Sequence, residues 1–222
     1  LTLLKLSVYA PITYIFPSML QKYEDMYDTE IEGGKSKFRQ VDREKSLQSL
    51  MTSNLLKRLE SSVHAFRITL QKLNDKYVGI LSIINDYNNG LIADENLSSV
   101  LANEDIDDED LENIGETFIG DNIKINLADM DLDSWEHDLK SDLKVIELLL
   151  AEMHKITPEH DYKLQDIKSH INNKIKSPIN TNNKKVIVLT AFADTADYLY
   201  EHISEYIQDN HNLHSAKVTG SK

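Results

Sequence analysis

Apolar residues return every three or four positions from Leu56 through Leu59, Val63, Phe66, Leu70, Leu73, Tyr77, Ile80 and Ile84 to Tyr87. That period is the one a helix needs to lay a single side against other helices along its length. No proline interrupts the run from Arg43 to Tyr87. The pattern therefore predicts one helix on the order of 65 Å long, at about 1.5 Å per residue. Leu47, Leu50 and Met51 extend the apolar character towards the start, while Thr52 and Ser53 weaken the stripe and predict that the seam changes face there. Gly79 is the expected bend, because glycine costs about 1 kcal/mol relative to alanine inside a helix. Asp42 is the expected N-cap. Asn88-Asn89-Gly90 reads as a stop, since Asn and Gly accept the left-handed conformation found just past helix ends.

Before this helix, Pro11 and Pro17 break any long element. The mix of β-branched and aromatic residues predicts a strand or extended arm, then a helix from about Ser18, as its cap, to Thr29. A short helix is expected over 94–102. Residues 104–131 are acidic and turn-rich, with Ile114, Phe118, Ile119, Ile123 and Ile125 as scattered anchors, and read as a partly mobile surface insertion. Helical period returns at Leu132 with Trp135, Leu139, Leu143, Ile146, Leu150 and Met153, and again after Pro158 with Tyr162, Leu164, Ile167, Ile171 and Ile175. Residues 43–89, 132–155 and 158–176 are thus expected to cover one another's stripes in one antiparallel helical assembly.

Past the polar linker 176–184 the period changes. Val186-Ile187-Val188-Leu189 is the length of a strand buried on both faces. A helix over about 194–209 follows, with Ala196, Leu199, Ile203, Tyr206 and Ile207 on its buried side, and HSAKVTG reads as a second strand entering. Strand, helix, strand opens a parallel α/β domain. Three regions result: an N-terminal arm and helix (1–41), a helical domain with an acidic insert (42–177), and the start of an α/β lobe (178–222).

With 41% hydrophobic residues, the 222 can build a core, and zero cysteines exclude disulfides and thiolate chemistry. No apolar run approaches the roughly 20 residues that cross a bilayer. A soluble cytoplasmic protein is the expectation, with no membrane partner. The net charge of −13 changes meaning once located. From Glu104 to Asp142 there are fifteen acidic residues and two lysines, leaving 22 of each sign elsewhere. A nucleic-acid face outside that stretch therefore stays open. Asp129, Asp131 and Asp133 suggest a calcium loop, but Ser134 stands where its glycine belongs and Lys140 where its bidentate Glu belongs. The eight histidines show no metal-ligand spacing, and no Gly-x-Ser-x-Gly nucleophile motif occurs.

KKVIVLTAFADTADYLYEHI, followed after a spacer by KVTGSK, resembles the start of the second RecA-like lobe of superfamily-two helicases, in the DNA-translocase branch that includes chromatin remodellers. The positions that carry the likeness are Thr190, Phe192, Asp194, Thr195, Thr219 and Gly220. MTSNLLKRLESSVHAFRITLQKL is similar to the helical segment between the two lobes of large bacterial helicase-like proteins. The resemblance implies a mainly α chain, a long-helix antiparallel assembly followed by a truncated RecA-like α/β start, belonging to an ATP-dependent helicase acting on DNA. Because the chain lacks an initial methionine and stops at KVTGSK, the expectation is a piece of a longer parent. ATP and Mg are implied for that parent. The chain itself has no Gly-x-x-x-x-Gly-Lys-Thr loop, no acidic metal box on a buried strand and no arginine motif, so no cofactor and no ATP hydrolysis are expected of it alone. Its expected partners are the remaining motor lobes, DNA, and further copies of itself through exposed apolar surface.

Lys57, Arg58 and Arg67 lie on or beside the long stripe, and two readings stand: a solvated or salt-bridging face, or contact with phosphates and docking to the motor lobes. Arg58 and Glu60 are two apart and do not form the usual helical pair. Thr190 is either a loop hydroxyl or, as the resemblance implies, a contact to the nucleic-acid backbone. With Phe192, Thr219 and Gly220 these complete the nucleic-acid-binding residues, against the alternative of a helical protein-protein interaction module with a small α/β appendage.

Overall fold

The computed structural model describes residues 4–27, 29–30, 37–38, 40–92 and 125–220. These are mainly helical: α1 (Pro17–Tyr27), α2 (Gln40–Ser61), α3 (Val63–Asn88), α4 (Leu132–His154), α5 (Tyr162–Lys176) and α6 (Ala193–His211). Short 3-10 turns occupy Ser7–Tyr9, Pro11–Tyr14 and Leu127–Asp129, and a two-residue antiparallel ladder pairs β1 (Thr29–Glu30) with β2 (Lys37–Phe38). The helix expected over 94–102, and most of the acidic stretch with Ile114, Phe118, Ile119 and Ile123, lie outside the described residues. Two compact units form, one of Leu1–Asn54 with Leu70–Leu149, the other of Leu55–Thr69 with Leu150–Lys222. This division differs from the composition boundaries at 42 and 178.

The long apolar run is two helices and not one. Gly79 lies within α3, and the interruption falls at Ser62 instead. The Ser62 hydroxyl accepts from the amide of Ala65 at 3.0 Å, the bond by which an N-cap serine starts a new helix. Backbone bonds still cross the break, from Ser62 N to the Arg58 carbonyl and from Phe66 N to the Ser62 carbonyl. The stop after Asn88 is as expected. Gly90 is left-handed at φ 68°, its N–H reaches the Tyr87 carbonyl, and the N–H of Leu91 reaches Asp86, which together satisfy two carbonyls of the last turn.

The first unit is organised on Asp142 of α4. Its carboxylate is fully buried and accepts four bonds: from the amides of Lys5 and Ser7 (2.7 and 2.8 Å), the Ser7 hydroxyl (2.7 Å) and the Tyr77 hydroxyl (2.9 Å). Left-handed Leu6 (φ 56°) lies between the two amide donors. The expected strand or arm at the N-terminus is therefore replaced by two buried turns, in which Leu6, Val8, Ala10 and Ile12 join the core with Leu73, Tyr77 and Trp135. Helix α1 starts at Pro17, a residue suited to a first helical position, so Ser18 is not its cap. Likewise α2 starts at Gln40, which leaves Asp42 within the first turn.

The end of the acidic stretch is not a surface loop. Ile125, Leu127 and Met130 are buried, and Ile15 and Met130 form an antiparallel bridge flanked by bonds from Phe16 N to the Asp129 carbonyl and from Asp131 N to the Tyr14 carbonyl. Asp129 takes bonds from Lys22 and Tyr23, each at 2.7 Å, while Asp131 caps α4 through the amide and hydroxyl of Ser134. The acidic side chains here hold helix ends and turns.

In the second unit, α5 and α6 share an apolar cluster of Leu164, Ile171, Ile175, Tyr198, Ile203 and Ile207, against which Ile167, Leu199 and Tyr206 pack. Tyr162, expected in the stripe, is exposed. The run Val186–Leu189 has no ladder partner among the described residues and is 41, 84, 45 and 90% exposed along its four residues, where a strand covered on both faces was expected. Residues 212–220 likewise form no strand.

Candidate functional site

The buried side of α2 and α3 within the second unit mixes Leu55, Ala65 and Phe66 with the polar Arg58, Ser62 and Thr69. Leu56 and Leu59, expected to be covered, are 46 and 37% exposed, whereas Leu55, Arg58 and Ser62 are buried. The seam thus runs one position to the side of the apolar stripe. Partners far along the chain explain the displacement. Arg58 Nη1 donates to Asp194 at 2.9 Å, and the guanidinium lies 4.7 Å from the centre of the Phe192 ring. Ser61 and Ser62 hydroxyls meet that of Thr195 at 2.8 and 3.1 Å, and Thr190 Oγ1 is 3.4 Å from Ser61 Oγ.

Local chemistry builds each half of this cluster. The Ser61-Ser62 pair ends α2 and caps α3, which leaves the carbonyls of Glu60 and Ser61 to outside donors; Lys163 at the start of α5 donates to both. On the other half, Phe192 is the N-cap residue of α6 without a side-chain cap, Asp194 lies in the first turn where a carboxylate complements the helix dipole, and Thr190 Oγ1 accepts from the Phe192 amide at 3.4 Å.

Beside this cluster the His64 ring stacks on Tyr198 at 4.8 Å, nearly parallel, and Tyr198 donates to Asp161, the N-cap of α5, at 3.0 Å. Arg67 Nη2 is 3.2 Å from His64 Nδ1. A guanidinium only donates, which assigns the His64 proton to Nε2. Burial, and then the charge of Arg67, holds the His64 pKa below its ordinary value, in keeping with a neutral stacked ring.

Of the residues singled out from sequence, Arg58, Thr190 and Phe192 come together. Arg67 engages His64 next to them, and Lys57 is exposed on α2. Thr219 and Gly220 are exposed in an irregular segment with no hydrogen bond to the cluster. Arg58, offered as a phosphate ligand, is buried and ion-paired. Ser61, Ser62, Asp161, His64 and Tyr198 were not singled out. The Ser-Ser doublet inside a long helical pattern was the available signal, since serine disfavours helix interiors and favours caps.

Among the described residues no group of three His, Asp or Glu side chains is placed to hold a metal ion, and no helix is long and apolar enough to cross a membrane. No protein-family model, curated protein or solved structure matches the chain.

Proposed function

We propose that the chain is part of an ATP-dependent helicase or translocase acting on DNA, contributing a helical brace and the beginning of the C-terminal motor lobe. The observation that carries this reading is that the two stretches resembling the family touch at positions that carry the likeness in the second of them: Arg58 meets Asp194 and Phe192, and Ser61 and Ser62 meet Thr195. A chance likeness in two stretches more than a hundred residues apart carries no requirement that they meet. In this reading Arg58 is a positioning residue that holds the Thr190–Thr195 segment, Lys57 is the neighbouring cation able to reach a phosphate, and Thr190 lies on the nucleic-acid side of the lobe. The residues present do not fit ATP or Mg, for want of a phosphate loop and an acidic metal box, so hydrolysis belongs to other parts of the parent.

The test is steady-state ATPase of the longer protein with and without duplex DNA, beside nucleotide affinity. Lys57→Ala with Arg58→Ala should lower DNA stimulation and leave ATP affinity nearly intact. Unchanged stimulation removes the role of this pair. A parent without ATPase activity leaves the second reading, a helical interaction module, which is favoured by the exposed Val186–Leu189 run, without a ladder partner among the described residues.

A further inference from the structure

Residues 167–193 contain five lysines, one histidine and neither Asp nor Glu, in a chain whose balance is −13. Four of those lysines bracket one short connection. Lys174 and Lys176 occupy the last turn of α5, and Lys184 and Lys185 follow it. The connection is held in place: Asn183 N donates to the Asn180 carbonyl at 3.0 Å, Asn182 is left-handed at φ 62°, and the Asn183 side chain accepts from the Lys185 amide at 3.1 Å. Lys176, Lys184 and Lys185 are exposed and Lys174 half-buried. Lys5, Lys22, Lys140, Lys155 and Lys217 all pair with carboxylates, whereas none of these four pairs with a described one.

Lys174 and Lys176 complement the negative end of the α5 dipole, but that effect fades within the last turn and gives no reason for Lys184 and Lys185. Like charges gathered around one short connection repel until a polyanion replaces their counterions, which is the main source of affinity for a phosphodiester backbone. The residues between them suit the same partner. Asn180, Asn182 and Asn183 offer neutral donors, and no aromatic ring lies between Lys174 and Lys185 to stack on a base, which favours contact with phosphate and sugar and no reading of sequence.

We propose that Lys174, Lys176, Lys184 and Lys185 form a sequence-independent contact surface for the phosphate backbone of DNA. The choice of DNA as the polyanion rests on the helicase reading above; the surface itself can be tested without it. The 222-residue chain is titrated with a fluorescent duplex of about 20 base pairs at salt from about 25 to 200 mM. Four phosphate contacts give a log–log salt slope of about −3.6. Replacing all four lysines by glutamine should weaken binding at low salt by about tenfold or more and bring the slope close to zero. Lys184→Glu with Lys185→Glu should do the same with half the substitutions, and far-UV circular dichroism checks that each variant stays helical. Lys72→Gln with Lys144→Gln, exposed lysines away from this connection, should leave most of the slope in place. Unchanged affinity and slope in the quadruple variant would overturn the proposal, as would absence of duplex binding by the unsubstituted 222-residue chain at about 25 mM salt. So would competition by polyglutamate as strong as that by unlabelled DNA of equal charge, which would point to an acidic protein surface. None of these results touches the helicase reading, which stands or falls on ATPase activity of the longer protein.

Discussion

The guanidinium of Arg58 lies 2.9 Å from the carboxylate of Asp194, with 3% of the Arg58 side chain and 33% of the Asp194 side chain exposed. Because water still reaches Asp194, removing the cation leaves a carboxylate that is only partly desolvated. Arg58→Ala should cost about 2–3 kcal/mol, below the full penalty of breaking a wholly buried pair. Arg58→Lys keeps the charge but loses the planar contact over Phe192, for about 1–2 kcal/mol. Lys57→Ala, one position away and exposed, should stay within about 0.5 kcal/mol. Urea denaturation distinguishes the three, and a loss below about 1 kcal/mol for Arg58→Ala would mean that the pair does not hold the segment.

Phe66, 1% exposed on α3, lies on the stripe where period and structure agree. Phe66→Ala should destabilise by about 3–5 kcal/mol, through lost burial and the cavity left behind. A midpoint shift equivalent to under about 1 kcal/mol would show the side chain outside the core.

Asp142 accepts four hydrogen bonds with no exposed surface. An amide keeps one acceptor oxygen and turns two N–H groups towards donors, so Asp142→Asn should cost about 2–4 kcal/mol. Hydrogen exchange should then rise at the amides of Lys5 and Ser7 before it rises along α4. Uniform exchange across the unit would argue against Asp142 as the tie for the N-terminal turns.

Glu44 of α2 is buried and accepts from the amide of Ile12 at 3.0 Å, while its Oε1 has no partner among the described residues. Burial raises its pKa well above the ordinary 4.5, with the Ile12 N–H pulling weakly the other way. The folded chain keeps this proton at pH values where the unfolded chain has lost it. Its contribution is therefore complete below the unfolded pKa and is lost as pH rises towards the folded one. Glu44→Gln should be more stable than the parent at about pH 8, with the difference closing near pH 4. Parallel stability profiles for the two proteins would refute the shift.

Ile187 and Leu189 are 84 and 90% exposed on a segment without a ladder partner among the described residues. Such runs pair with other chains. Light scattering should show association rising with concentration, suppressed by Ile187→Lys with Leu189→Lys. A strictly monomeric parent over a wide concentration range would contradict this.

The chain's helices and the faces of most of them were legible from sequence, because period, caps and stops act through neighbours a few residues away. Phe66, Leu70, Leu73, Tyr77, Ile80 and Ile84 are buried as their spacing demands, and the Asn-Asn-Gly stop closes α3. Between Leu55 and Ser62 the apolar period marked Leu56 and Leu59, which lie on the exposed side. It followed leucines, while the fold buried Arg58 and Ser62 against Asp194 and Thr195, more than 130 residues away. The N-terminal turns depend in the same way on Asp142, 135 residues from Ser7. A buried charge or hydroxyl is stable only where its partners converge, and no local pattern records which distant segment will bring them.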